Sequence, residues 1–325
     1  MLDDFCVFIL SHGRPDNVKT VPTLSKHGYT GKTYIVIDNE DKTAERYYSN
    51  FGDRVAMFDK AEIEKRIDAA DNFGNRKTIL HARNACFDIA EKIGIKYFIQ
   101  LDDDYVDFRY KKDSAFENIN KKDIRDLDRI FGLLLSYYKS IPALSIAISQ
   151  GGDFLGGKDG NAAQRPQFRK CMNSFLCSTD RRFFFRGTMN EDVNTYCSLG
   201  HAGNLFLNIP NIALQQAASQ KSKGGITDTY LTFGTYVKAF YTVMHNPSSV
   251  FVSMMLSNHP RIHHSICWAN TVPLIIEEKY KKSHVVCEEP PAEILGAEPV
   301  HLTTAPCQNN SNSRNFFSYK AITSA

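Results

Sequence analysis

Three consecutive carboxylates, Asp102-Asp103-Asp104, directly follow an apolar run at residues 97–101. Like charges a few ångström apart repel, and burial at the end of a strand sharpens the repulsion. A divalent cation that prefers hard oxygen ligands, Mn2+ or Mg2+, resolves the conflict. Side chains alternate along an extended backbone, so Asp102 and Asp104 face one side and Asp103 the other. Asp102 and Asp104 are therefore the expected metal ligands, and the metal would neutralise a diphosphate leaving group. An Asp-rich turn that merely faces water is the plainer alternative, and the apolar run before it argues against that.

Other polar groups sit at comparable places. The turn Ser11-His12-Gly13-Arg14 follows an apolar run at residues 5–10, with Arg14 suited to a phosphate and His12 to a base or ribose. Asp38 ends a β-rich run at residues 33–37, where a carboxylate can accept hydrogen bonds from a ribose or a base imide. Arg76 and Arg83 lie at and inside the start of a helix expected over 79–93. Cations there oppose the helix dipole, so contact with a diphosphate explains them better than helix stability does. Glu191-Asp192 opens another expected helix. Acidic residues favour a first turn for structural reasons, and a carboxylate here could equally remove a proton from an acceptor hydroxyl; both readings stay open. Residues 258–264 are dense in histidine. At most one of them joins a metal that already holds two carboxylates and a diphosphate, and His264 is the candidate.

The elements that must position these residues alternate. Strands are expected at 5–10, 33–37, 97–101 and 144–149. Helices are expected from Asp16 or Asn17 toward Leu24, over 79–93 with Gly94 as the stop, and over 124–138 from its apolar spacing. Alternation of this kind predicts an α/β fold, a mostly parallel central sheet flanked by helices in a single domain. Ligands of such sheets lie beyond the carboxyl ends of the strands, where Ser11–Arg14, Asp38 and Asp102–Asp104 all fall. After residue 151 the spacing is mixed: Phe183-Phe184-Phe185 reads as a strand, 191–199 as a helix, 205–209 and 212–216 as strands, 227–244 as a helix and 248–255 as a strand. Residues 1–286 form the expected domain, and 287–325, poor in aliphatics and without period, an extended tail.

The 325 residues are 42% hydrophobic and carry a net charge of +3, too small for a general polyanion binder. No apolar run is long enough to cross a membrane. Eight cysteines without a CxxC pair predict reduced thiols in a cytoplasmic protein.

Together these residues resemble the GT-A class of glycosyltransferases. The shared points are the polar turn after the first strand, the acidic end of the second, the arginine helix, the Asp-x-Asp element, the later Glu-Asp pair and a C-terminal histidine. Within that class the chain resembles the TET/JBP-associated glycosyltransferases, which include base J glucosyltransferases and phage DNA-modifying relatives. The pieces that carry this are Ser11–Arg14, the block from Gly74 to Asn84, the stretch from Gln100 to Tyr105 and that from Arg186 to Asp192. The resemblance implies sugar transfer from UDP-glucose or a similar nucleotide sugar to the hydroxymethyl group of a modified pyrimidine in DNA. It also implies Asp192 as catalytic base beside Glu191, Asp102 and Asp104 on the metal, and Ser11, His12, Arg14, Asp38, Arg76, Arg83 and Asp103 around the donor. DNA demands basic contacts near the cleft and a flipped base. Candidates are Lys111-Lys112, Lys121-Lys122, Arg165, Arg169-Lys170, Arg181-Arg182 and residues 221–223, with Phe183–Phe185 as a wedge. Competing readings are a polysaccharide, lipid or protein acceptor, a sugar nucleotidyltransferase lacking the usual Gly-rich loop, and a non-catalytic DNA-binding module. Oligomeric state is not legible.

Overall fold

Every residue of the first apolar run is buried, because Phe5–Leu10 forms a strand covered on both faces. The computed structural model describes residues 3–71, 74, 76–112, 118–150, 168–217, 236–255, 260–273, 275 and 278. Its strands are β1 (Phe5–Leu10), β2 (Lys32–Asp38), β3 (Val55–Phe58), β4 (Tyr97–Asp102), β5 (Tyr105–Lys112), β6 (Asn118–Asp123), β7 (Ala143–Gln150), β8 (Ser174–Ser178), β9 (Leu205–Gln216), β10 (Val250–Met255) and β11 (Arg261–Ile266). Nine of them make one sheet in the order β3-β2-β1-β4-β8-β7-β9-β5-β6, and β10 and β11 pair antiparallel apart from it. β1, β2, β3 and β4 are mutually parallel, and only β8 and β5 run against the rest where the pairings are traced.

The helices are α1 (Thr20–Lys26), α2 (Ala44–Phe51), α3 (Lys60–Glu64), α4 (Leu80–Lys92), α5 (Leu127–Ser140), α6 (Glu191–Gly200) and α7 (Tyr236–His245). Alternation along β1 sends Phe5, Val7 and Ile9 into one core with α5 (Leu127, Phe131, Leu134, Tyr138). Cys6, Phe8 and Leu10 enter a second core with α4 (Leu80, Cys86, Phe87, Ile89). The sheet is thus a middle layer between helices, and the expected α/β class with a mostly parallel sheet flanked by helices is the observed one. Gly94, at φ +69°, stops α4 as expected. Asp126 caps α5 by accepting from the Arg129 amide at 3.1 Å.

Several expected elements differ. The helix after the first turn begins at Thr20 without a side-chain cap, because Asp16 instead accepts from Arg46 and Asn50. Phe183–Phe185 is not a strand. The side chain of Asn84 takes the place of a neighbouring strand, donating to Phe185 O at 3.1 Å and accepting from Phe185 N at 2.9 Å. The two strands expected at 205–209 and 212–216 are one, β9. Its pairing with β7 jumps from Ile148↔Ile209 to Ser149↔Ala213, so the irregularity absorbs Pro210, which has no amide to donate. Of the helix expected over 227–244, α7 covers Tyr236 onward, while residues 227–235 and 287–325 lie outside the described residues.

Candidate active site at the carboxyl ends of the parallel strands

Because β1, β2 and β4 run parallel, their carboxyl ends share one edge, and the three polar clusters expected there meet. Ser11 Oγ donates to Asp103 Oδ2 at 2.6 Å and lies 2.7 Å from Tyr47 OH. Arg14 Nη2 stands 3.3 Å from Asp103 Oδ1. His12 Nδ1 lies 2.8 Å from Asp38 Oδ2, and the Gly13 amide donates to Asp41 Oδ2 at 2.7 Å. The turn that carries the three aspartates joins β4 to β5 and is pinned by the first helix. Thr20 Oγ1 donates to Asp102 O at 2.6 Å and accepts from the Tyr105 amide at 3.0 Å, and the Thr20 amide donates to Asp103 O at 3.1 Å. Asp103 thus points to the first-strand turn. Asp104 accepts from Gln216 Nε2 at 2.9 Å, at the end of β9.

Arg83 is the hub of the acidic side. It is 1% exposed, with Nε 2.9 Å from Glu191 Oε1 and Nη2 3.1 Å from Asp102 Oδ1. Its guanidinium lies 5.0 Å from the Phe175 ring centroid and 5.8 Å from that of Phe185, an aromatic setting that holds a delocalised cation well. Nη1 is buried without a protein partner. Burial, with Asp104, Glu191 and Asp103 adding repulsion, pushes the Asp102 carboxyl up to about 7 against the pull of Arg83. Asp103 is also raised by burial. Burial and then Glu191 push Asp192 up to about 6.

The segment that delivers Glu191 and Asp192 is strained and braced. Gly187 adopts φ +85° and Asn190 φ +51°, and Asn190 Nδ2 donates to Lys238 O at 2.8 Å and Thr242 Oγ1 at 2.6 Å on α7. Backbone held outside the common wells, beside a buried acid pair, is characteristic of working sites. The family model of the TET-associated glycosyltransferases matches residues 5–225, a span that holds all nine strands of the sheet and every site residue described above except Lys238 and Thr242 on α7. The chain belongs to the TET-associated glycosyltransferase family.

Solved structures give a more distant likeness. S. aureus TarS 1–349 in complex with UDP-GlcNAc is 8% identical with a TM-score of 0.41, covering 68% of this chain and 60% of that one. The mannosyltransferase PcManGT from Pyrobaculum calidifontis, in complex with GDP-Man and Mn2+, is 9% identical with a TM-score of 0.40, covering 74% and 73%. No curated protein matches the sequence significantly.

The remaining expected site residues of this glycosyltransferase lie elsewhere. Arg76 pairs with Glu40 and Glu64 at the surface, one step out from Asp38. His264, on β11, lies 3.0 Å from Lys170 Nζ and stacks near His263 at 4.3 Å between ring centroids. Burial, then Lys170, pushes its imidazole down to about 2, so it is neutral. The structure does not gather Asp102, Asp104 and His264: among the described residues no three His, Cys, Asp or Glu side chains converge on a common point. His264 therefore drops out of the expected metal set, and Asp102 and Asp104 are what is left of it. Their donor set fits a hard divalent cation, since both offer carboxylate oxygens, and the burial that raises Asp102, with Asp104 adding repulsion, is what such an ion would offset.

One of the basic pairs suggested for DNA, Arg181-Arg182, is spent on structure. Arg181 Nη1 donates to the carbonyls of Tyr138, Ile141 and Ala143, and Arg182 pairs with Asp88 and Glu91. Phe183 and Phe185 are core, which leaves only Phe184 of the aromatic run exposed. Lys112 is buried. The side chains of Lys121 and Lys122, together with Arg165 and residues 221–223, lie outside the described residues. No helix among the described residues is long and apolar enough to cross a membrane. Sequence reasoning missed Lys60, whose Nζ lies 3.4 Å from Asp38 Oδ1, and Tyr47 and Gln216. Lys60 had a usable signal: it follows the fourth parallel strand, β3, by two residues, but Val55–Phe58 is too short to announce itself.

Proposed function

We propose that this chain transfers a sugar from a nucleotide-sugar donor, UDP-glucose or a similar one, to the hydroxymethyl group of a modified pyrimidine in DNA. The observation that carries the reading is the buried guanidinium of Arg83, held between Asp102 at the end of β4 and Glu191 at the start of α6. It joins a donor-side acid cluster to a second acid pair that suits base catalysis. Membership of the TET-associated family supports the DNA acceptor by its name alone.

In this reading Asp102 and Asp104 hold Mn2+ or Mg2+, which supplies charge neutralisation for the diphosphate leaving group. Ser11, Arg14 and Asp103 line the nucleotide side, where the Ser11 and Arg14 bonds hold Asp103 in place. Asp192 takes the proton from the acceptor hydroxyl. Its Oδ1 accepts from the Val193 amide at 2.8 Å, which fixes the carboxyl plane. A carboxyl pushed up to about 6 is matched to proton transfer near neutral pH. Arg83 stands between Glu191 and Asp102 and bonds to both, so the two acid groups are held in fixed places on either side of one cation.

The test is nucleotide release by the purified chain with Mn2+ or Mg2+ and a panel of nucleotide sugars, with and without DNA carrying 5-hydroxymethylpyrimidines. Release that needs both metal and modified DNA is expected. Metal-dependent donor hydrolysis indifferent to DNA would leave a glycosyltransferase with another acceptor. That second reading, a polysaccharide, lipid or protein acceptor, draws support from the structural engagement of Arg181 and Arg182. Silence with every donor would refute the enzyme.

A further inference from the structure

Beside the acid cluster, the ends of β1 and β2 hold a line of charged groups that runs from the interior to the surface. Lys60, at the start of α3, is 4% exposed, and its Nζ lies 3.4 Å from Asp38 Oδ1. Its own amide donates to Asn39 Oδ1 at 3.0 Å, which ties α3 to the end of β2. The same Asp38 Oδ1 accepts from the Glu40 amide at 3.1 Å, while Oδ2 faces His12 Nδ1 at 2.8 Å. Both oxygens of Asp38 are therefore engaged and the residue is 5% exposed. Asp41 is engaged in the same way: Oδ2 accepts from the Gly13 amide and Oδ1 from the Thr43 amide and hydroxyl. His12 differs, with 49% of its side-chain surface exposed and only Nδ1 bound.

We infer that Lys60, Asp38 and His12 form a relay in which Asp38 is the support and His12 Nε2 is the atom presented to the nucleotide. The inference rests on the nucleotide-sugar reading above and reassigns Asp38 from ligand contact to positioning residue. The Nδ1–H bond to Asp38 fixes the tautomer and ring direction, as a carboxylate partner does for imidazoles generally. The charged groups facing His12 are Asp38, Asp41, with Oδ2 at 3.6 Å from Nδ1, and Lys60 behind Asp38. The Asp38 hydrogen bond and the two carboxylate charges raise the imidazole above its ordinary value, and Lys60 opposes them. In the protonated state both ring nitrogens are donors. The ligand atom met by Nε2 is then an acceptor, a phosphate oxygen or a base carbonyl of a nucleoside diphosphate. Lys60 sets the balance: its charge keeps Asp38 ionised in a buried place and limits how strongly Asp38 holds the proton on His12.

The experiment is calorimetric titration of the full chain with UDP and, separately, GDP, in the presence of Mn2+, between about pH 5 and 9. The imidazole resonances of His12 are followed by NMR in the same buffers, so its titration is read independently of binding. For the wild type, affinity falls about 5- to 10-fold as pH rises through the His12 titration, since a charged donor bonds roughly twice as strongly as a neutral one. His12→Gln binds weakly with no pH limb. Asp38→Asn shifts the limb to lower pH, and Lys60→Met shifts it to higher pH while the thermal transition reports whether the fold survives. Opposite shifts from two neighbouring substitutions are not expected of a merely structural role. Undiminished binding by His12→Gln, with loss at every pH in Asp38→Asn, would overturn the relay and return Asp38 to the ligand. A pH-independent wild-type affinity would overturn the relay and leave the nucleotide reading intact. No binding of either nucleotide by the folded wild type would overturn the nucleotide reading and the relay with it.

Discussion

Replacing Arg83 with Met tests the central claim that one buried cation organises two acid groups from distant parts of the chain. Methionine roughly fills the space of the stem but leaves Asp102 and Glu191 facing one another without their partner. The structure gives the ingredients: charge-assisted bonds at 2.9 and 3.1 Å, two aromatic faces within 6 Å of the guanidinium carbon, and 1% exposure. Breaking a buried pair from one side typically costs about 3–5 kcal/mol, mostly from the charge left unpaired. For a chain of this size, at about 2 °C per kcal/mol, that is a fall in Tm of roughly 6–10 °C. The sign of its pH dependence follows from the same argument. With no guanidinium to pull it down, the buried Asp102 carboxyl sheds its penalty by taking a proton, so the gap to wild type narrows as pH falls. Adding Asp102→Asn to Arg83→Met removes one unpaired charge and recovers about half of the lost stability, whereas Arg83→Lys keeps the charge but not the bridging fork and falls between. The assay is differential scanning calorimetry of the wild type and the three variants at two pH values. A Tm for Arg83→Met within about 2 °C of wild type, or a double variant no more stable than the single, would refute the reasoning.

Further expected outcomes follow from individual residues. Asp192→Asn lowers transfer by about 10²- to 10⁴-fold while nucleotide binding by calorimetry is unchanged, the mark of a base used only in the chemical step. With Asp192 intact, kcat/KM declines as pH drops below about 6, because burial and Glu191 make that carboxyl hold its proton more tightly; a flat profile there would remove it as the base. Gly187→Ala destabilises by about 1–3 kcal/mol in urea titrations, since a Cβ would stand 2.4 Å from Asn194 Nδ2 in a φ +85° backbone. Asp88 resists its own burial because hydrogen bonds from Arg66 and Arg182 outweigh it, so its carboxyl is lowered. A lowered folded-state value means stability present above the ordinary aspartate range and lost as pH falls through it. Asp88→Asn should therefore cost stability near neutral pH and little in acid, as read by thermal melts across pH; an equal cost at both would contradict the ion-pair origin.

What was legible in the chain depended on the range over which each interaction closes. Strand β1 announced itself by six apolar residues, and α4 by helical spacing ending at Gly94, because both signals are written within one element. The acid turn was equally local, and its neighbours Ser11, Arg14 and Asp38 followed from one rule about the carboxyl ends of parallel strands. Contacts that close across a hundred residues had no such signature. Gln216 reaches Asp104 only because β9 runs beside β5 on the far side of the sheet. Asn84 replaces a strand neighbour for Phe185, which turned a plausible strand into an extended strap. His264 failed for a related reason: the histidine-dense run promised a metal ligand by composition, but β11 pairs with β10 outside the main sheet and places that imidazole against Lys170. Arg83 shows both sides of the limit. Its position in a helix where a cation is out of place was visible, and from this a diphosphate contact was expected. In the fold it binds two carboxylates from β4 and α6 instead, with a single nitrogen, Nη1, left unpartnered. A cation misplaced in its own helix had an anionic partner, as the dipole argument required; whether that partner belonged to a ligand or to the chain itself was decided by α6, 108 residues further on.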